Sequence, residues 1–423
     1  MNMNGWDTVF VASVDAINAS LSRSTVKLLQ KFSFSEQGDS VSGVFGTWSV
    51  VAGGSGKLLM LQIQITSGTM LMAAGATPID LSGMAALLLV NLQILPSPAT
   101  PASQSLVFNF KQVGPVASSS SGVGVVTPHD ILNSGNLTLV QKAALGSAVA
   151  NVLVENAGQV SFVFATVNPT QASAVGWMHP VASRYAYLAP AGVPASLAIL
   201  SVTSARDTSP LPLLMDPAIL LGTGNAGLAV SPALFLQNVM GPALLASLKA
   251  SGSMDVNGSG VLVNTSTLNL PEIHKAGESY HPQVDSMTAT ITDTQINVAM
   301  NGSCDMHMGV RMTFGATSNL SASLSTGGSS LQLATVGTPT FHKDVSIPWY
   351  DHMFDIVGVL PEIILQSCVA AISSELAGGI SSSTSADAFV QSAPAIVSWA
   401  NGGGFKVQTA SLASSLCLRG VLS

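Results

Sequence analysis

Two rhythms of apolar and polar residues run along the chain, and the strongest is helical. Over 349–376, Met353, Val357, Leu360, Ile364, Cys368, Ile372 and Leu376 step by three and four, the spacing of one helix face. Ile356, Val359 and Ile363 widen that stripe past the half-circle of an ordinary surface helix. Asp351 and Asp355 suit the positive end of the helix dipole, and Gly378-Gly379 supplies a stop. A helix of this length reaches about 40 Å. Pro361 predicts a kink or break within it. A rod this long and apolar needs a sheath.

The same spacing predicts helices over 6–21 (Phe10, Val14, Ile17, Leu21), over 136–156, and over 232–248, entered through Ser231 and Pro232. Between them the period drops to two. Leu59, Leu61, Ile63 and Ile65 alternate with Met60, Gln62, Gln64 and Thr66, which marks a strand with one buried face in an antiparallel sheet. Further strands are predicted over 27–34, 41–51, 69–74, 85–95, 106–112, 160–167, 185–188, 197–203, 228–230, 254–270, 284–292, 295–300, 306–314, 320–324 and 404–409. The Ser- and Gly-rich 113–126 reads as a loop. The resulting order is helix, strands, helix, bridging strands, then helix, strands, helix. It argues for α+β and resembles an internal duplication, although no residue repeat aligns between the halves.

Composition alters this picture in one respect. Charged residues are 8% of the 423, against about 25% in an average soluble domain, and mean hydropathy is +0.48. The longest charge-free stretch, 81–110, is cut by Asn91, Gln93, Pro96, Pro98 and Pro101, so its apolar run is too short to span a bilayer as a helix. The net charge of −7, with no cluster among the 14 basic residues, speaks against nucleic acid and against a polybasic membrane anchor. The first residues carry no basic segment followed by an apolar core, so the expectation is cytoplasmic synthesis, with any export by a signal-independent route. Cys304, Cys368 and Cys417 are odd in number and far apart, which fits free buried thiols in a reducing compartment.

Candidate chemistry is sparse. Gly53-Gly-Ser-Gly-Lys57 lacks the first glycine of a phosphate loop, and Leu58 follows where Ser or Thr is needed. It reads as a hairpin turn. Asp305 and His307 share a strand face, but a third metal ligand at sensible spacing is missing. Glu272, His274, Glu278 and His281 bracket one loop, and Asp351, His352 and Asp355 crowd one helix start, where the dipole already explains the carboxylates. The chain is therefore expected to be non-enzymatic, with no cofactor and no metal.

Several landmarks resemble a known family. They are Gly5-Trp-Asp-Thr-Val-Phe, Phe45-Gly-Thr-Trp48, Gly53-Gly-Ser-Gly, Asp80-Leu-Ser-Gly83, Phe162-Val-Phe-Ala-Thr-Val-Asn-Pro169, Trp177-Met178, 197–204, 234–240 and Leu418-Arg-Gly420. In order and spacing they are similar to the clostridial p-forty-seven proteins, which are encoded beside botulinum-type neurotoxins with the OrfX proteins. The resemblance implies the tubular lipid-binding (TULIP) superfamily, in which a highly curved antiparallel sheet rolls around a long helix. It implies two such modules, 1–228 with the bridging strands and 229–423, elongated overall, and it supplies no catalytic residues.

The expected function is then non-catalytic binding of a lipid, a fatty acyl chain or another long apolar ligand, since burial contributes about 0.8 kcal/mol per methylene. Val14, Ile17 and Leu21 would line the groove in the first half, and Val357, Leu360, Ile364 and Cys368 in the second. The alternative is an accessory protein with a filled core that works through its surface, pairing with OrfX-like or toxin-complex proteins.

Overall fold

The structure is a computed structural model. It describes the chain except residues 74–75, 97–102, 117–121, 169–172, 191, 221, 223, 276, 307–308, 326–327, 329, 347–359, 377–388, 400–403 and 423. Antiparallel sheet dominates, and one sheet curls strongly into a half-barrel.

The ten-stranded sheet is built from hairpins. Asp39–Ser55 and Leu58–Met72 are joined by the tight turn at Gly56-Lys57, where Ser55 faces Leu58 and Gly56 takes φ +60°, as the glycine-rich stretch predicts. Register shifts near Val44, Phe45 and Val51 interrupt this ladder, and such bulges bend a strand. Ala85–Pro96, Gln104–Asn109, Val163–Val167 and Val397–Trp399 continue the sheet in that order. A seven-stranded sheet holds Gln283–Thr292, Gln295–Asp305, Arg311–Leu324 and Leu331–Ser346, with shorter strands at one side.

The third sheet has six strands and gathers the start, middle and end of the sequence. Its order is Ala182–Leu188, Ser196–Val202, Thr8–Ser13, Ala226–Val230, Leu416–Leu422 and Phe405–Leu412. The boundary at 228/229 therefore falls within one of its strands. Both faces are covered. Phe10 and Ala12 join the main core, whereas Val9 and Val11 join a second cluster with Trp6, Leu200, Met215 and Cys417.

That double coverage corrects the helix expected over 6–21. Thr8–Ser13 is a strand buried at every position, because a strand covered on both sides needs a continuous apolar run and loses the alternation that identifies it. The helix begins only at Val14. Ser13 Oγ accepts from Ala16 N at 3.2 Å, Asp15 lies in the first turn, and Arg23 closes Val14–Arg23. Of the strand expected over 69–74, residues 69–72 are instead the end of Leu58–Met72, and residue 74 lies outside the described residues. The loop expected over 113–126 gives way at its end to the strand Val125–Leu132, and Leu331–Ser346 and Leu416–Leu422 are strands that the pattern missed.

Three further helices follow the predicted positions. Leu139–Glu155 starts with a capping box: Gln141 N donates to Thr138 Oγ1 at 3.3 Å, and Thr138 N donates to Gln141 Oε1 at 2.8 Å. The third helix, 232–248, is entered through Ser231 and Pro232 and contains a π-helical segment, Leu236–Met240. There Gly241 N reaches Leu236 O, five residues back, just before Pro242, which has no N–H to donate. The C-terminal helix comprises Leu360–Ala370 and a second π segment, Ala371–Glu375. Pro361 is the second described residue of this helix, so the kink or break expected there falls at the edge of the described residues. The described part is about 24 Å long, and the remainder of the expected rod, 349–359, lies outside the described residues.

Each helix lies against sheet. The first packs on Asp39–Ser55, and the second on Val125–Leu132 and Lys31–Glu36. The third packs on Met254–Val256 and Gln283–Thr292, and the C-terminal helix on Arg311–Leu324 and Leu331–Ser346. Among the described residues no helix is long and apolar enough to cross a membrane.

Candidate functional site: a cleft beside the C-terminal helix

The two groups of expected groove residues have different surroundings. Val14, Ile17 and Leu21 are buried in the main core, Leu21 at 0% exposure. Asn18, from the same helix, clamps Val50 in both directions: its Nδ2 donates to Val50 O at 2.9 Å, and its Oδ1 accepts from Val50 N at 2.8 Å. This helix is fastened to its sheet and filled.

Leu360, Ile364 and Cys368 are also buried, but Ile364 and Cys368 form one wall of a cleft of about 240 Å³. Val357 lies outside the described residues. Ala371 extends the same wall through the π segment, and Leu248, Leu270 and Ile273 face it from the end of the third helix and the loop beyond. Lys249 adopts the left-handed conformation (φ 50°) that ends the third helix. Leu270 N donates to Pro282 O at 3.0 Å, and Ile273 pairs with Tyr280 in a small hairpin, which fixes the loop wall. The apolar lining residues Leu248, Ile364, Cys368 and Ala371 are buried, and the polar lining is Ser247, Ser367, Lys249 and Glu375. Burial pushes the Cys368 thiol up to about 12, so it acts there as a small apolar group.

Leu248, Leu270, Ile273 and Ala371 were not foreseen as lining. The facing wall comes from a part of the sequence roughly a hundred residues away, and helical periodicity names a buried face without naming what opposes it.

The other candidates hold no assembled site. Glu272 lies 3.7 Å from His274 Nε2 and 3.9 Å from His281 Nε2, all well exposed. A hydrogen bond from Ser279, followed by the two imidazoles, lowers its pKa. Asp305 faces Arg311 Nε at 3.9 Å, whereas His307, Asp351, His352 and Asp355 lie outside the described residues. Among the described residues no group of three or more His, Cys, Asp or Glu side chains could hold a metal ion. Cys304, Cys368 and Cys417 are free and buried.

Comparison with known proteins fits this architecture. Protein P47 of Clostridium botulinum (strain Kyoto / Type A2) is 27% identical over 315 residues, covering 71% of this chain and 72% of its own length. The solved structure of P47 from Clostridium botulinum A2 superposes with a TM-score of 0.78 at 23% identity, covering 100% of this chain and 98% of that one. The crystal structure of P47 of Clostridium botulinum E1 gives 0.80 at 21% identity, with 99% of each chain covered; at these identities the likeness shows the fold. A sequence profile described as Protein OrfX2/OrfX3/P47 matches residues 3–382. The chain belongs to the OrfX-like family.

Proposed function

We propose that this chain is a non-catalytic binder of a lipid or similarly long apolar ligand, of tubular lipid-binding (TULIP) type, serving as an accessory protein of a toxin gene cluster. One observation carries the reading: the cleft between the C-terminal helix and the end of the third helix is lined by buried apolar Leu248, Ile364, Cys368 and Ala371 together with exposed polar Lys249, Ser367 and Glu375. Acyl methylenes would lie along Ile364, Cys368, Ala371 and Leu248, and a polar end would meet Lys249, Glu375 and Ser367. At about 240 Å³, the cleft is smaller than the roughly 300–1,000 Å³ of common ligand pockets. It would therefore seat part of a long chain, with full loading requiring the C-terminal helix to shift. The π segments in both bordering helices suit such a shift, since π turns interrupt the regular ladder.

Native mass spectrometry of the purified protein tests this reading through co-purifying lipid, together with uptake of a fluorescent fatty acid. Ser367 is exposed at the cleft wall, so Ser367→Trp fills the space without entering the core and should reduce uptake at least fivefold. A lipid-free protein that takes up no probe, or uptake unchanged by Ser367→Trp, overturns it.

The filled core around the first helix favours a second reading, in which the surface docks other proteins of the same cluster. Co-purification with OrfX-like partners from the native operon would support that role, and stable monomeric behaviour beside them would exclude it.

A further inference from the structure

A second cleft, of about 250 Å³, lies between the ten-stranded and six-stranded sheets. The turn residue Lys57 lines it, together with Asn91 and Asn109 on adjacent strands, Lys111 just beyond, and Arg184 and Tyr185 from the six-stranded sheet. Three of the chain's 14 basic residues thus meet in one place, in a protein of net charge −7, and no carboxylate lines the cleft. Among the described residues, neither the Lys57 nor the Lys111 ammonium has a hydrogen-bond or ion-pair partner. Arg184 Nη1 donates to Thr208 O at 3.1 Å, which leaves the other donors of its fork. Asp207, whose pKa Arg184 helps to lower, lies outside the cleft, and its hydrogen bonds from Ser209 are the larger cause of that shift.

The framework is rigid. Gly56 and Tyr187 exchange backbone hydrogen bonds at 3.0 and 2.7 Å, pinning the turn to the six-stranded sheet. Tyr185 Oη donates to Lys57 O and accepts from Leu92 N, both at 2.8 Å. Asn91 is used structurally, with Nδ2 donating to Lys57 O at 3.3 Å and Oδ1 accepting from Gly124 N at 3.2 Å.

Asn109 is different. It faces Asn91 across the ladder and is 1% exposed, yet neither its Oδ1 nor its Nδ2 has a hydrogen-bond partner. A buried amide left unpaired keeps its desolvation penalty with nothing to offset it, and native proteins rarely leave one so unless something else satisfies it. The Asn109 Nδ2 donor and the converging cations that no carboxylate offsets call for the same complement: an anion with several acceptor oxygens.

We propose that this cleft binds a phosphate-type oxyanion, a phosphomonoester carried by a soluble molecule or by a lipid headgroup. Lys57, Lys111 and Arg184 supply the charge, and Asn109 Nδ2 donates from the wall. The site is separate from the apolar cleft and does not depend on it. A phosphomonoester matches the planar guanidinium fork and two point charges better than a monoanionic carboxylate does.

The test uses the full chain. Calorimetry with inorganic phosphate and glycerol 3-phosphate forms the soluble arm. Flotation with phosphatidylcholine vesicles containing phosphatidic acid forms the membrane arm, with phosphatidylserine vesicles as the charge control. Saturable binding in either arm is expected. Lys57→Gln/Lys111→Gln should weaken it at least tenfold, and Asn109→Leu several-fold. The two lysines are exposed, so the double variant should melt like the parent even if Asn109→Leu folds poorly. Lys31→Gln, on the edge strand Lys31–Glu36, should bind as the parent does. Binding in both arms, or only one, identifies the source of the phosphate. No saturable binding in either arm, equal binding to phosphatidylserine vesicles as the sole response, or a double variant no weaker than Lys31→Gln overturns the proposal.

Discussion

The first helix and the C-terminal helix carry the same three-and-four spacing of apolar residues, and the core receives them differently. Val14, Ile17 and Leu21 are enclosed by the sheet they pack on, and Asn18 ties the helix to the backbone of Val50. Ile364 and Cys368 are as deeply buried, but their far side opens on a cleft. Burial alone thus does not distinguish a filled interior from a binding wall. What decides is whether the opposing element closes in, and here a loop carrying Pro271 and Pro282 holds the space open.

Thiol chemistry offers the largest effect with which to break this contrast. Burial raises the Cys368 thiol to about 12, so at pH 8 only about one molecule in 10⁴ is thiolate, and alkylation should be on the order of 10³-fold slower than at an exposed cysteine. If reagent enters through the cleft, the rate in a Cys304→Ser/Cys417→Ser protein should climb about tenfold per pH unit between pH 9 and 10.5. A plateau near the ordinary thiol pKa of about 8.5 would mean reaction only through unfolding, making this helix as closed as the first. The same raised pKa values at Cys304, Cys368 and Cys417 favour the protonated thiol in the folded state. Stability should therefore be intact below about pH 8.5 and fall as pH rises toward the folded values.

Core truncation is next in size. Leu21→Ala should cost about 3–5 kcal/mol in chemical denaturation, because the sealed site cannot relax around the void. Ile364→Ala, beside space that already exists, should cost less, about 2 kcal/mol. Equal losses would erase the distinction between the two helices.

The smallest effect belongs to the outer face of the C-terminal helix. Lys343 Nζ approaches Glu362 Oε2 at 2.6 Å at a half-exposed site, and the hydrogen bond from Lys343 is the largest cause of the lowered Glu362 pKa. Its contribution should be present above the ordinary value of 4.5 and lost as pH falls through the lowered one. Salt should screen it, and Glu362→Gln should shift the melting temperature less than Ile364→Ala does.

Much of the fold was legible where the physics is local. The capping pair Thr138 and Gln141, the Ser231-Pro232 entry and the Gly56 turn announce themselves through backbone groups that neighbours in sequence must satisfy. Thr8–Ser13 did not, because two covering layers remove the alternation a strand normally shows. Leu331–Ser346 was missed because its Thr-, Gly- and Pro-containing second half is mostly exposed and lacks an apolar rhythm. Of the candidate site, Ile364 and Cys368 were readable as one helix face, whereas Leu248, Leu270 and Ile273 oppose them only through tertiary placement. Lys57 was visible as a turn residue, but nothing in its neighbourhood announced Lys111 or Arg184.

Synthesis from one end gives the six-stranded sheet a particular history. Thr8–Ser13 emerges long before its partners Ser196–Val202 and Ala226–Val230, and Asp7 and Thr203 hydrogen-bond across 196 positions. Until those segments arrive, an apolar ribbon with both edges unpaired waits beside the ribosome. Such a chain should gain from a holding chaperone during translation, and its refolding yield should fall as protein concentration rises.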